Sequence, residues 1–169
     1  MNLAQEIIAL EMAEELALEA HQGQEYGNLE YGEHLADVAC TVQRLVDQHF
    51  SDSIAYDPTP LFKMLQVAWL HDILEDTYIT EDILRAKGFE EDVITSVQLV
   101  TKEEGYDYNE YIERIKTDQK ALVVKLADTI SNLSFSMVNG DSRRIAKYRK
   151  QYDLLFLAFS EGLVKLTIE

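Results

Sequence analysis

The stretch Ala68-Trp69-Leu70-His71-Asp72-Ile73-Leu74-Glu75-Asp76-Thr77 constrains this chain more than any other. It continues an apolar pattern of Leu61, Phe62, Met64, Leu65, Val67, Ala68 and Leu70, whose spacing predicts a helix with most of one side buried. The helix then acquires four ionisable residues where it should end. At about 100° per residue, His71, Asp72, Glu75 and Asp76 fall within an arc of roughly 140°, so the spacing predicts one charged face. An imidazole beside a carboxylate can hold a divalent metal, and two carboxylates one turn on can handle protons next to it. The alternative is a polar helix end facing water. Three acids near a helix C-terminus oppose the macrodipole, however, and nothing local compensates them.

Helical spacing dominates the rest of the chain. Leu3, Ile7, Leu10, Ala13, Leu16 (or Ala17) and Ala20 predict an amphipathic helix from Leu3 to about His21, ended by a loop holding Gly23, Gly27 and Gly32. A second helix runs from about Glu33 to Gln48 with Leu35, Val38, Ala39, Val42, Leu45 and Val46 inward, and Cys40 reads as a buried small residue on it. Ser51 to Pro60 is a surface connection, and Pro58 and Pro60 bracket the start of the third helix. Thr80 caps a short helix that Gly88 ends, and further helices follow over Glu90–Val100, Asn109–Ile115 and Asp118 to about Phe135. Gly140-Asp141 is a turn, and Ser142 caps a last helix to about Ser160. Nothing reads as a sheet. The expected fold is all-α, one domain over residues 1–169, a bundle of about seven or eight helices.

Composition narrows the function. The formal charge of -16 disfavours DNA, RNA and anionic membranes as partners, because the field repels polyanions. No apolar run approaches the roughly 20 residues of a membrane span. Met1 to Ala20 holds no Lys or Arg, which does not fit a secretory or transit leader, so the cytoplasm is the expected compartment. With a single cysteine no internal disulfide is expected.

Asp128 follows Val123-Val124-Lys125-Leu126-Ala127, a run expected in the middle of the bundle. A buried carboxylate needs a cation or hydrogen-bond donors. A metal at His71-Asp72 would serve, and so would an ion pair with Lys125, three residues earlier. Asn132 lies one turn beyond on the same face and could orient a substrate or water. Of the four histidines, His49 reads as a cap or surface residue, and His21 as a cap or as support behind a ligand. His34 and His71 remain as ligand candidates. With Asp72 and Asp128 they make two imidazoles and two carboxylates, a set that suits Mn²⁺, Fe²⁺ or Zn²⁺ with coordination positions left open.

The ordered set His34, His71-Asp72 and Asp128 resembles the HD-domain metal-dependent phosphohydrolases. More narrowly, the chain resembles the hydrolase domain of RelA/SpoT-type enzymes and the stand-alone small alarmone hydrolases. The matching segments are His21-Gln22-Gly23-Gln24, Tyr31-x-x-His34, His71-Asp72-x-x-Glu75-Asp76-Thr77, Val100-Thr101-Lys102 and Val124-Lys125-Leu126-Ala127-Asp128 with Asn132. They occur in family order over about residues 10 to 135. The resemblance implies that His34, His71, Asp72 and Asp128 bind one Mn²⁺, that Glu75 and Asp76 position or deprotonate the attacking water, and that Asn132 contacts a nucleotide. The implied reaction is removal of the 3′-pyrophosphate from guanosine tetra- or pentaphosphate. Two other readings stand beside it: hydrolysis of another nucleotide or of a phosphorylated dinucleotide cofactor, and a non-catalytic nucleotide-binding protein.

The chain departs from the family in its first loop, Gln24-Glu25-Tyr26-Gly27-Asn28-Leu29-Glu30, which is one residue shorter and lacks the usual basic pair. Thr129 stands where the family has a basic residue after the aspartate. Tyr26 could stack on a base but carries no charge. The run Arg143-Arg144-Ile145-Ala146-Lys147-Tyr148-Arg149-Lys150 is expected to be a solvated helix face, although it would restore charge if the last helix packed near the pocket. Lys125 and Tyr111 are further candidates for substrate contact. The expected partner is a small nucleotide, and the oligomeric state is open.

Overall fold

The structure is a computed structural model that describes residues 2–49, 57–103 and 105–168, with side chains described through 162. Most of the Ser51–Pro60 connection therefore lies outside the described residues. Eleven elements follow in order: α1 (Leu3–Ala20), β1 (Glu25–Tyr26), β2 (Leu29–Glu30), α2 (Tyr31–His49), α3 (Thr59–Leu70), α4 (Ile73–Asp76), α5 (Glu81–Lys87), α6 (Glu91–Val100), α7 (Tyr108–Ile115), α8 (Gln119–Val138) and α9 (Ser142–Ile168). Among the described residues this is an all-α bundle, as the helical spacings predict.

Helix α8 lies at its centre because it is apolar on most sides. Val123, Val124, Leu126 and Ala127 are wholly buried, and α2, α3, α6 and α9 all pack on it. Each Val or Leu so buried stabilises the fold by roughly 1.5–3 kcal/mol. By length and composition α8 could also cross a bilayer, but two-thirds of its apolar window is covered by neighbouring helices. That burial accounts for its hydropathy as a core helix.

Helix α1 is rotated from its expected register. Its buried stripe is Glu6, Ala9, Ala13, Leu16 and Ala17, whereas Leu3 and Ile7 are exposed. Three alanines at intervals of four let α1 and α3 approach closely, and the apolar count alone does not register that preference. Glu6 is fully buried on this stripe, where Gln66 Nε2 donates to its Oε2 at 2.8 Å. Cys40 is exposed rather than buried. The inward stripe of α2 passes through Val38, Ala39 and Val42, and Cys40 lies about 200° from Val42 on the helical wheel.

The loop after α1 carries a short antiparallel hairpin that the all-helix reading does not include. Glu25 pairs with Glu30 and Tyr26 with Leu29 around Gly27-Asn28. A Gly-Asn pair between strand-length segments is itself a hairpin signal, and Gly27 supplies the positive φ of 65° that the turn requires. The turn sits tight against α8, since a Cβ on Gly27 would collide with the Phe135 ring. Asp141, rather than Ser142, caps α9, its Oδ1 accepting from Arg144 N–H at 3.0 Å.

Candidate metal centre and its cavity

The organising helix does not run on through His71. Helix α3 ends at Leu70, His71 and Asp72 form a turn, and α4 begins at Ile73. His71 turns its Nδ1 back onto the Ala68 carbonyl at 2.7 Å, one of the acceptors left open at a helix end. The four ionisable residues are thus presented by a break in the helix and not by one continuous face.

That contact also fixes the ring. A carbonyl can only accept, so Nδ1 carries a proton and Nε2 is the nitrogen turned into the site, free to ligate once its own proton is lost. His71 Nε2 is buried without a well-directed hydrogen-bond partner. It lies 3.0 Å from Asp72 Oδ2 and 3.9 Å from Asp128 Oδ1. His34, from the first turn of α2, places its own Nε2 3.5 Å from Asp128 Oδ1 and 3.9 Å from Asp72 Oδ2. One donor atom each from His34, His71 and Asp128 lies within 4.8 Å of the others. Spacings of 3–4 Å are what ligands bonded at about 2.0–2.2 Å to one ion require. A buried His-His-Asp group with an orphaned imidazole nitrogen fits a divalent metal.

Electrostatics agree with that fit. Burial alone would lower the His71 pKa, but the Asp72 and Asp128 carboxylates reverse this and push it up to about 9. Burial would raise the Asp128 carboxyl, yet the Lys125 ammonium beside it and the two imidazoles hold it well below the usual carboxylate range. Without metal, a proton and an ammonium group thus supply the positive charge that these carboxylates need.

Lys125 is buried and donates to Asp128 Oδ2 at 2.7 Å, which is the ion pair read as an alternative in the sequence. Asn132 donates from Nδ2 to the Asp128 backbone and carboxylate, and its Oδ1 accepts from Tyr26 at 3.0 Å and from Arg144 Nη2 at 3.1 Å. Tyr26 stacks on His34 with centroids 4.4 Å apart, so one ring face is covered by the site itself. Glu75 is clasped by Lys102, with both carboxylate oxygens within 3.1 Å of Nζ and Oε2 at 3.1 Å from the Lys102 backbone N–H. Burial, with Asp72 and Glu75 close by, raises the Asp76 carboxyl above its ordinary value. Tyr111 is not at the cavity wall. It is core, its hydroxyl donates to the Val100 carbonyl, and its ring underlies Lys125 at 5.8 Å.

Tyr26, His34, Asp72, Glu75, Asp76, Lys102, Lys125, Asp128 and Asn132 line a cavity of about 220 Å³ together with Tyr31, Arg144, Lys147, Tyr148 and Gln151. A larger hollow of about 550 Å³, between α4, α5, α6 and α7, holds no such convergence of ligand atoms among the described residues. The basic run is therefore not wholly a solvated face. Arg144 and Lys147 reach the cavity, and Arg144 lies over the Tyr26 and Phe135 rings at 5.9 and 6.0 Å. The signal was present in the spacing, since Arg144, Lys147, Tyr148 and Gln151 fall at i, i+3, i+4 and i+7 on one helical stripe. The lining sets four cations against four carboxylates, so a bound divalent ion would make this pocket locally positive in a chain of charge -16.

The helix arrangement is an all-α bundle that brings His34, His71 and Asp128 together as a buried cluster. A solved structure described as "A metazoan ortholog of SpoT hydrolyzes ppGpp and plays a role in starvation responses" shares this fold, with a TM-score of 0.63 and 24% sequence identity over 87% of this chain and 85% of that chain. No family model matches the sequence, and no curated protein does.

Proposed function

We propose that this chain is a metal-dependent phosphohydrolase that removes the 3′-pyrophosphate from guanosine tetra- or pentaphosphate. The observation that carries the reading is the convergence of His34 Nε2, His71 Nε2, Asp72 Oδ2 and Asp128 Oδ1 at a cavity with cations among its lining groups. The likeness of fold to a protein described as hydrolysing ppGpp supports the choice of substrate.

In this reading the four residues hold one Mn²⁺, or Fe²⁺ or Zn²⁺ in its place. When bound, the ion supplies Lewis-acid polarisation of a phosphoryl oxygen and lowers the cost of deprotonating water. Asp76, with its raised carboxyl pKa, takes the proton from the water that attacks phosphorus. Glu75 holds Lys102 at the cavity wall, and Lys102, Arg144 and Lys147 bind phosphate oxygens. The cations absent from the first loop are thus replaced from α9. A volume of about 220 Å³ is below the roughly 300–1,000 Å³ usual for small-molecule sites, so the reacting phosphates occupy it while the base lies along the Tyr148 rim.

Incubating Mn²⁺-loaded protein with guanosine tetraphosphate and resolving products by chromatography tests the reading. GDP and pyrophosphate are the expected products. No turnover, beside rapid hydrolysis of a different nucleotide from a panel, would overturn the substrate and leave the metal centre standing.

A further inference from the structure

A ring of contacts ties the end of α1 to the break between α3 and α4. His21 is buried at the C-terminus of α1, where its backbone N–H bonds the Ala17 carbonyl at 3.0 Å. Gln24 Nε2 donates to the Asp76 carbonyl at 2.8 Å. Because that carbonyl can only accept, the amide is oriented with Oε1 toward His21, and His21 Nδ1 donates to it at 2.8 Å. The His21 ring lies parallel to Tyr31, with centroids 4.6 Å apart and planes 9° from each other. Tyr31 in turn donates to Asp72 Oδ2 at 2.6 Å, and its oxygen lies 3.3 Å from Asp76 Oδ2.

The Tyr31 bond matters because of the atom it meets. Asp72 Oδ2 is the oxygen with which Asp72 approaches both imidazoles, at 3.0 Å from His71 and 3.9 Å from His34. The terminal torsion of an aspartate is broad, so packing alone does not decide which oxygen faces the imidazoles. One directed hydrogen bond does. Tyr31 also meets the His34 ring edge-on at 5.6 Å, so a single side chain touches two of the four candidate ligands and approaches Asp76.

We propose that Tyr31 is a positioning residue for the metal centre, orienting Asp72 toward the ion, and that His21 holds Tyr31 in register through stacking and through Gln24. This rests on the metal-centre reading above. The test is Mn²⁺ titration calorimetry on the full chain, with thermal midpoints of the metal-free proteins. Tyr31→Phe removes one oxygen and keeps the ring contacts with His21, Tyr26 and His34. It should weaken Mn²⁺ affinity by about 10–100-fold, with a parallel rise in the Mn²⁺ concentration needed for half-maximal activity and little change in the metal-free midpoint. His21→Ala should weaken affinity as well, and should add almost nothing in the Tyr31→Phe background, because both act through one bond. His21→Phe, which keeps the stacked ring, serves if the alanine variant does not fold, and should retain most of the affinity. Tyr31→Phe binding Mn²⁺ as tightly as wild type would overturn the proposal, and full additivity of the two substitutions would remove His21 from it. Wild-type protein that binds no Mn²⁺ would instead overturn the metal-centre reading.

Discussion

Arg144→Met isolates the charge that α9 brings to the cavity. In the free protein the guanidinium donates to Asn132 Oδ1 at 3.1 Å and lies 5.7–6.0 Å from the Tyr26, Phe135 and Tyr148 rings. Cation–π contacts at partly exposed sites contribute about 0.5–1 kcal/mol, and the methionine stem keeps the packing, so stability should fall by about 1 kcal/mol. For a chain of this size that is a loss of roughly 2–4 °C in thermal midpoint. Substrate binding should suffer more. A charge-assisted hydrogen bond to phosphate is worth about 1.5–3 kcal/mol, or roughly 10- to 150-fold in affinity at 1.4 kcal/mol per decade. Steady-state kinetics on guanosine tetraphosphate at saturating Mn²⁺ should therefore show KM raised by that factor, kcat within about threefold, and a shallower salt dependence. Arg144→Lys should recover part of the loss. Unchanged KM in Arg144→Met would refute the argument, since Arg144 would then only pack against Tyr26 and Phe135.

Asp76→Asn should lower kcat by about 10²–10⁴-fold with Mn²⁺ affinity retained, measured by single-turnover rates and calorimetry, and a rate near wild type would remove Asp76 as proton acceptor. Asp128→Asn leaves Lys125 charged, buried and without its carboxylate, so the metal-free protein should lose about 3–5 kcal/mol in denaturant unfolding besides losing the metal. His71, with its pKa pushed up to about 9, holds a proton at neutral pH that the metal must displace. Between its ordinary value of 6.5 and about 9, rising pH should therefore tighten Mn²⁺ binding. Over the same window the metal-free fold should lose the stability that this proton confers, which is complete only below 6.5. Calorimetry at pH 7 in two buffers of different ionisation enthalpy should report about one proton released per ion bound. Gly27→Ala should displace the hairpin, because the position combines positive φ with a Cβ collision against Phe135, and loss of the Tyr26–Asn132 bond would show as a raised KM.

Helical spacing made the bundle legible, because 3.6-residue periodicity records which stripe must be buried. It failed where burial depends on closeness instead of apolarity. Apart from Leu16, the buried α1 stripe of Glu6, Ala9, Ala13 and Ala17 is polar or small, so Leu3 and Ile7 drew the expected face away from it. At the candidate site, the residue types of His34, His71, Asp72 and Asp128 were readable because few other reasons place such groups in apolar surroundings. Their arrangement was not, since the turn at His71-Asp72 follows from a side chain bonding its own helix end. Tyr111 and Arg144 exchanged roles for a related reason. A tyrosine in an amphipathic helix can satisfy its hydroxyl on a buried carbonyl, and a charge run becomes a pocket wall only through a long-range contact with Asn132.

The most direct measurement of the central claim is an anomalous-scattering map from crystals of the protein grown with Mn²⁺. One strong peak is expected within about 2.0–2.2 Å of His34 Nε2, His71 Nε2, an Asp72 oxygen and an Asp128 oxygen. A map with no peak there, or with the ion bound by other residues while these four keep their metal-free positions, would contradict it.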